Sequence, residues 1–457
     1  MPRHFFKDLR KSVTGVGLCC LLAVMLVSAP WAIRAGNATA GMAMERFSDQ
    51  AEDLTRQRLE AVKERLKTSL AVSPAQDGDD LRAWLIRASM WGPLAGMSSK
   101  VLELLGDSET ARKALFFLMP LVRWMSEPFL FPVETAGSEE KCRAEMERLF
   151  GFIIGQGTKS RKVSLDNVGD AARSEADVKA YRDYYRETII QFARDGGMTD
   201  LSLSLKLSAL TLDLSAAVGQ GESARAKRME IEAAVGDLLL AAREVRQSQR
   251  LMLRLDMEEY VFKDFTLDLF RTIVEKHPEL ARNADGSLRL GVVIQAYLRD
   301  SARDVRELAA WGRANGLRVP IRLVKGAYLE HERALAADEK RPSPVWDHKP
   351  STDANYETLS ACLLLNRDAL QPAFATHNIR SMARVMALAE MLAISPAEVE
   401  FQMLYGMGDP IKPVLTGMGY GLREYVPAGS LARGLKYAGR RFQELAGADN
   451  ALARTMR

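Results

Sequence analysis

Near the carboxyl end, the stretch LKYAGRRFQE (435–444) sets two adjacent arginines, Arg440 and Arg441, three and four residues after Tyr437. On a helix, residues three and four apart share a face, so the phenol ring and a guanidinium can address one ligand. Arginine forks are planar, stay charged at any working pH and match the two oxygens of a carboxylate. The same pair could instead end a helix in solvent, complementing the carboxyl end of its dipole.

Other charged and polar positions bear on that choice. Lys206 in SLKLSA, Asp256 in LRLDMEE, Arg322 and Lys325 in IRLVKGA, and Asp170 just after KVSLDNV sit at or near the ends of apolar runs. Gln295, His377, Leu404 and Tyr425 hold corresponding places in VVIQAY, FATHN, FQMLYG and REYVPAG. A charge in a buried strand is costly unless it is paired. Lys206, Arg322 and Lys325 supply cations, while Asp170 and Asp256 can hold others such as Arg440 and Arg441. Each residue alone could belong to an ion-pair network capping a fold. Together they suit an anionic small molecule beside Tyr425 and Tyr437. No nucleophile with an adjacent base and no catalytic carboxylate pair is evident, so a cofactor would have to carry the chemistry.

The elements that must position these residues begin near residue 155. Short apolar runs alternate there with longer stretches of helical period, the pattern of a parallel sheet with crossover helices. Eight strands are predicted: 162–168, 201–209, 251–257, 290–297, 319–327, 373–378, 399–406 and 422–429. Eight such units over about 290 residues fit a (β/α)8 TIM-like barrel, whose chemistry lies at the carboxyl ends of its strands. A Gly-rich dinucleotide fingerprint is absent.

With 457 residues and 47% hydrophobic content, the chain can bury a large core and an accessory region. The 63 basic and 59 acidic residues leave a net charge of +4, which makes no case for nucleic acid as a partner. The four cysteines and five histidines show neither metal-ligand spacing nor a disulfide framework, so no metal is expected. The amino terminus is basic and then uncharged from Ser12 to Ile33, long enough to cross a bilayer. A cleaved signal peptide shares that layout, but the length of the core favours a retained anchor with a cytoplasmic amino end. A charged helix is predicted from 42 to 70, broken by SPAQDGDD at 73–80. The segment 114–132 is apolar but interrupted by Arg123, Glu127 and prolines, which suits burial or lipid-headgroup contact better than crossing a membrane. The organisation is then a hydrophobic segment over 1–37, a helical arm over 38–155 and a barrel with a terminal helix over 156–457.

The motifs RLVKGAY, FATHN, FQMLYGMG, REYVPAG and YAGRRFQE, with SLDNVGDAA, LKLSAL, LDMEE and VVIQAY upstream, resemble those of the proline dehydrogenase family. The resemblance spans about 160–446. It implies a flavin-binding (β/α)8 barrel that oxidises L-proline to 1-pyrroline-5-carboxylate with FAD, passing electrons to a membrane quinone. Carried over by motif, Arg440 and Arg441 would bind the proline carboxylate with help from Lys206, while Asp170 and Asp256 would pair with the arginines. Tyr437 and Leu404 would close over the ring, and Tyr425 would limit bulk on it. Gln295 and Arg322 would contact the isoalloxazine, and Lys325, Thr376, His377 and Asn378 the rest of FAD.

Two departures stand out. Asp170 replaces a glutamate common in the family, one methylene longer, and Leu329 takes a place where relatives of the bifunctional bacterial enzymes often stack an aromatic on the adenine. The chain ends at Arg457, as expected of a monofunctional bacterial type whose product passes to a separate dehydrogenase. Membrane association, at the bacterial inner membrane, is the expected location. The other readings are a different flavin barrel, such as a methylenetetrahydrofolate reductase-like enzyme, and a membrane-anchored barrel that binds proline without turnover. The paired arginines argue against the former.

Overall fold

The computed structural model describes residues 38–72, 129–133, 139–157, 162–169, 171–194 and 199–430, together with 434, 437 and 441. The amino-terminal segment 1–37, most of the segment 114–132, Asp170 and Arg440 lie outside the described residues.

Helix α1 (Ala38–Val72) covers the predicted charged helix and extends it at both ends. Strand β1 (Phe131–Pro132) and helix α2 (Glu139–Gly157) follow. Strands and helices then alternate: β2 (Lys162–Asn167), α3 (Glu175–Arg194), β3 (Asp200–Leu205), a four-residue α4 (Leu207–Leu210), α5 (Glu222–Ala241), β4 (Arg250–Leu255) and α6 (Lys263–Lys276). Next come β5 (Leu290–Gln295), α7 (Ser301–Ala314), β6 (Val319–Val324), α8 (Leu329–Asp338), α9 (Lys349–Leu365), β7 (Leu370–Ala375), α10 (Ile379–Met391), β8 (Glu400–Leu404), α11 (Ile411–Gly417) and β9 (Gly421–Gly429). The strand order is β1-β9-β2-β3-β4-β5-β6-β7-β8, and β9 pairs with β8 as well as β2. That closes β2 to β9 into the expected (β/α)8 barrel.

A ninth strand adds to the eight that the sequence predicts. β1 runs parallel to β9, with Phe131 opposite Ala428 and Pro132 opposite Gly429. β8 ends at Leu404 opposite Tyr425, so β1 takes up the backbone groups of β9 that β8 leaves behind. Each predicted strand also shifts at one end or both. The run 201–209 stops at Leu205 because the chain turns into α4, and β7 begins at Leu370, ahead of Pro372, which had masked its start.

Successive side chains of a strand point to opposite faces, and β3 and β4 place their leucines on one of them. Leu201, Leu203, Leu205, Leu251, Leu253 and Leu255 are all fully buried on one face. Each contributes roughly 1.5–3 kcal/mol by leaving water. The opposite face carries buried Ser202, Ser204 and Arg254. Arg423 on β9 passes over β2 to donate to Asp200 on β3 at 2.8 Å, and also donates to Glu400 on β8 at 2.9 Å. Side chains that meet over an intervening strand identify this polar face as the concave one. The helices supply the other wall: α6 buries Phe265, Leu269, Phe270 and Ile273, a stripe at helical spacing.

The chain forms two compact units, one of residues up to Val62 with Ile294–Phe374 and Arg380–Val399, the other of Lys63–Val293, Ala375–Ile379 and Glu400–Arg457. In the first, α1 docks on α10: Arg58 Nε donates to Glu390 Oε2 at 2.9 Å and Arg380 Nη2 to Glu52 Oε1 at 3.1 Å, beside buried Ala51 and Thr55. Among the described residues no helix is long and apolar enough to cross a membrane, and no group of three His, Cys, Asp or Glu side chains could hold a metal ion.

Candidate active site

In the second unit, Lys206 directly follows β3 and precedes α4. Its ammonium pairs with Asp166 Oδ1 at 2.5 Å and donates to the Asn167 carbonyl at 3.2 Å. Its backbone N–H donates to the phenol oxygen of fully buried Tyr185 at 3.5 Å. Burial opposes the charge on Lys206, but Asp166, with Tyr185 and Asp256 behind it, outweighs burial and raises its pKa above the ordinary lysine value. The lysine is therefore a fixed cation.

Asp256 follows β4, and its backbone N–H donates to the Leu205 carbonyl at 2.9 Å, which ties the β4 end to the β3 end. Its Oδ2 accepts from the Tyr425 hydroxyl at 3.3 Å. Two residues on, the carboxylate of Glu258 accepts from the backbone N–H of Ser208 at 3.0 Å and from the Ser208 hydroxyl. Burial pushes the Glu258 carboxyl up, against those two hydrogen bonds. The Ser208 carbonyl in turn accepts from Ala172 N–H at 3.0 Å, so the ends of β2, β3 and β4 are linked through one serine.

Gly434, Tyr437 and Arg441 have helical backbone. The Arg441 guanidinium lies over the Tyr437 ring, 5.3 Å from its centroid, a cation–π contact at the expected spacing of four. Tyr437 and Leu404 both pack against an apolar cluster of Phe129 and Met407. His377 Nε2 accepts from Leu404 N–H at 3.1 Å, and Thr376 Oγ1 accepts from Asn378 N–H at 3.0 Å. His377 thereby fixes the backbone at the end of β8.

In the first unit, Gln295 ends β5 and Arg322 lies two residues before the end of β6; both are buried. Lys325 pairs with Asp353, donates to Ser381 Oγ at 3.4 Å and lies over the Tyr356 ring. Burial lowers its pKa although Asp353 works the other way. Gly326 in the VKGAY motif has φ +125°, and a Cβ there would stand 2.5 Å from the Tyr297 ring, so the position admits only glycine.

The residues predicted from the sequence fall into sets. Lys206 and Asp256 are neighbours with Tyr425, and Leu404, His377, Tyr437 and Arg441 form a second group through direct contacts. Asp170 and Arg440 lie outside the described residues. Asp166, Tyr185, Ser208, Glu258 and Phe129 were not singled out by sequence. Asp166 had a signal: in SLD it shares the polar face with Ser164, two residues away, opposite the leucine face.

A family model described as proline dehydrogenase matches residues 155–454. The bifunctional protein PutA of Escherichia coli (strain K12) is 31% identical over 383 residues, covering 79% of this chain and 27% of that protein. Proline dehydrogenase 1 of Bacillus subtilis (strain 168) is 29% identical over 267 residues, 58% of this chain and 73% of that protein. A solved structure of proline utilization A from Bdellovibrio bacteriovorus, inactivated by N-propargylglycine, superposes with a TM-score of 0.71 at 26% identity, covering 88% of this chain and 44% of that one. The chain thus spans about a quarter of the length of the bifunctional relative from Escherichia coli.

Proposed function

Because this chain belongs to the proline dehydrogenase family, we propose that it oxidises L-proline to 1-pyrroline-5-carboxylate and that FAD is its cofactor. A membrane quinone is the electron acceptor in this reading, and residues 1–37 hold the protein at a membrane. A separate dehydrogenase then consumes the product.

The observation that carries the reading is the Tyr437–Arg441 contact, whose ring packs with Leu404 on one apolar cluster; the fixed cation Lys206, at the end of β3, supports it. A carboxylate needs cations that stay charged, and a pyrrolidine ring needs an apolar wall. Arg441, with Arg440, takes the substrate carboxylate, and Lys206 adds positive potential. Tyr437 and Leu404 cover the ring and exclude water, and Tyr425 limits its bulk while Asp256 orients the Tyr425 phenol. Asp170 and Asp256 steady the arginines.

The donor set fits a flavin. Arg322 is a buried guanidinium near the end of β6, suited to an isoalloxazine that gains negative charge on reduction. Buried Gln295 offers both a donor and an acceptor to the same ring, while Lys325, Thr376, His377 and Asn378 supply an ammonium, a hydroxyl, an imidazole and an amide for its other portions. Bound there, FAD would supply the hydride acceptor for the ring carbon as the C–N bond becomes C=N, with the nitrogen's proton passing to solvent. The chain's own residues hold the substrate carbon in place and shield it from water.

Purified protein should be yellow and should reduce a quinone analogue when given L-proline. Colourless protein that binds proline without turnover would instead support a non-catalytic binding barrel.

A further inference from the structure

Residues 129–133 precede the span that the family model matches, yet they touch the helix that carries Tyr437 and Arg441 in two ways. β1 continues along β9 where β8 stops, which sets Phe129 beside the end of β8. Phe129 is fully buried and forms with Met407 the surface on which Leu404 and Tyr437 pack. Leu130, also fully buried, closes over the backbone of Gly434: a Cβ at 434 would stand 2.1 Å from Leu130 Cδ2. Gly434 has helical backbone about one turn before Tyr437 and donates its N–H to the Ser430 carbonyl at 2.9 Å.

The segment is itself held from behind. Val133 N–H donates to the Gly429 carbonyl at 2.9 Å. Arg148 of α2 donates to the Pro132 carbonyl and stacks over the Phe131 ring at 4.6 Å. Phe152 of α2 packs on Phe131 at 4.8 Å and meets Tyr405, the residue after Leu404, edge-on at 5.2 Å. A short segment fixed on one side by a ladder and a helix, and pressed on the other against a terminal helix, transmits its position to that helix.

We propose that residues 129–133 act as a strap that seats the terminal helix, making Phe129 and Leu130 positioning residues for the closure of Tyr437 and Leu404 over the substrate. This rests on the reading of Tyr437 and Leu404 as the wall of a proline site. Phe129, with Met407, forms the surface on which Tyr437 packs, and Leu130 sets how near the backbone at Gly434 can approach.

The close approach supplies a compensation test. Gly434→Ala places a methyl against Leu130, and Leu130→Ala removes the obstacle. In the full-length protein with its flavin, G434A should raise the KM for L-proline by roughly 10- to 100-fold, with kcat changed less, since misplaced supports cost that much. The L130A/G434A double variant should recover most of the loss, and F129A should raise KM on its own. Deuterium uptake of the peptide spanning 434–441 is read in parallel and should rise and fall with KM. If wild-type protein does not turn over proline, the functional reading fails, and the strap is judged on uptake alone. Unchanged uptake in G434A and F129A, or raised uptake with an unchanged KM in an active enzyme, would overturn the proposal.

Discussion

The hydroxyl of Tyr425, in the middle of β9, donates to Oδ2 of Asp256 just past the end of β4, at 3.3 Å. Two strands, β2 and β3, lie between them in the sheet. The bond therefore crosses the concave polar face and ties the wall contributed by β9 to the end of β4. Tyr425→Phe removes one hydrogen bond and leaves the ring, at a cost of about 1 kcal/mol. Urea unfolding should show a drop of that size, and the KM for L-proline should rise several-fold because Asp256 loses its orienting partner. A variant with unchanged stability and KM would make this bond incidental.

Lys206 is paired with a largely buried Asp166, and one-sided removal is expected to cost more than removal of both groups. Asp166→Asn leaves an ammonium against an amide and should lower stability by roughly 3 kcal/mol, whereas Asp166→Asn combined with Lys206→Met should lose less than the sum. The folded-state pKa of Lys206 is raised, so the stability it brings is complete below its unfolded value, near 10.4, and fades only as pH climbs through the folded value. A pH series from 6 to about 9 should show no step that Lys206→Met abolishes.

At the opposite ends of the strands, Arg423 bridges Glu400 and Asp200. Burial works against ionised Glu400, but Arg423 outweighs it and holds its carboxyl down at about 2, while Asp200 is likewise lowered. Depressed carboxyls stabilise the fold above their unfolded values and lose that contribution as pH falls through the folded ones. Stability should thus decline between about pH 5 and pH 2, with roughly 3 kcal/mol attached to Glu400. Glu400→Gln should flatten much of that decline while leaving the KM for L-proline near normal at neutral pH, which separates fold from site.

Deleting residues 1–37 should leave turnover with soluble acceptors intact and release the protein from membranes. Unchanged fractionation with membranes after the deletion would remove the anchor from the account.

The barrel was legible because its strands alternate so plainly. Runs such as LSLSL and LMLRL place leucines on one face and serines, Met252 and Arg254 on the other, and turn residues separate them from helices of clear period. What was not legible depends on contacts between segments distant in sequence. β1 is two residues long and carries no pattern of its own; only the exposed ladder of β9 beyond Leu404 makes it a strand. Asp166 was read as part of a strand, because its pairing with Lys206, forty residues on, follows from register and not from spacing. Glu258 sits in the LDMEE motif, yet its attachment to Ser208 depends on how α4 starts. Tyr437 and Arg441 were legible as a pair because helical spacing alone brings them together.

In the proposed reaction Arg441 binds the carboxylate of proline. The most direct measurement is the steady-state KM for L-proline of Arg441→Met beside wild-type protein, with the flavin absorbance of both recorded. A KM raised by about 100-fold or more with the flavin spectrum retained is expected, since a charge-assisted pair of hydrogen bonds is worth roughly 3 kcal/mol. A near-normal KM in a flavin-loaded variant would contradict it.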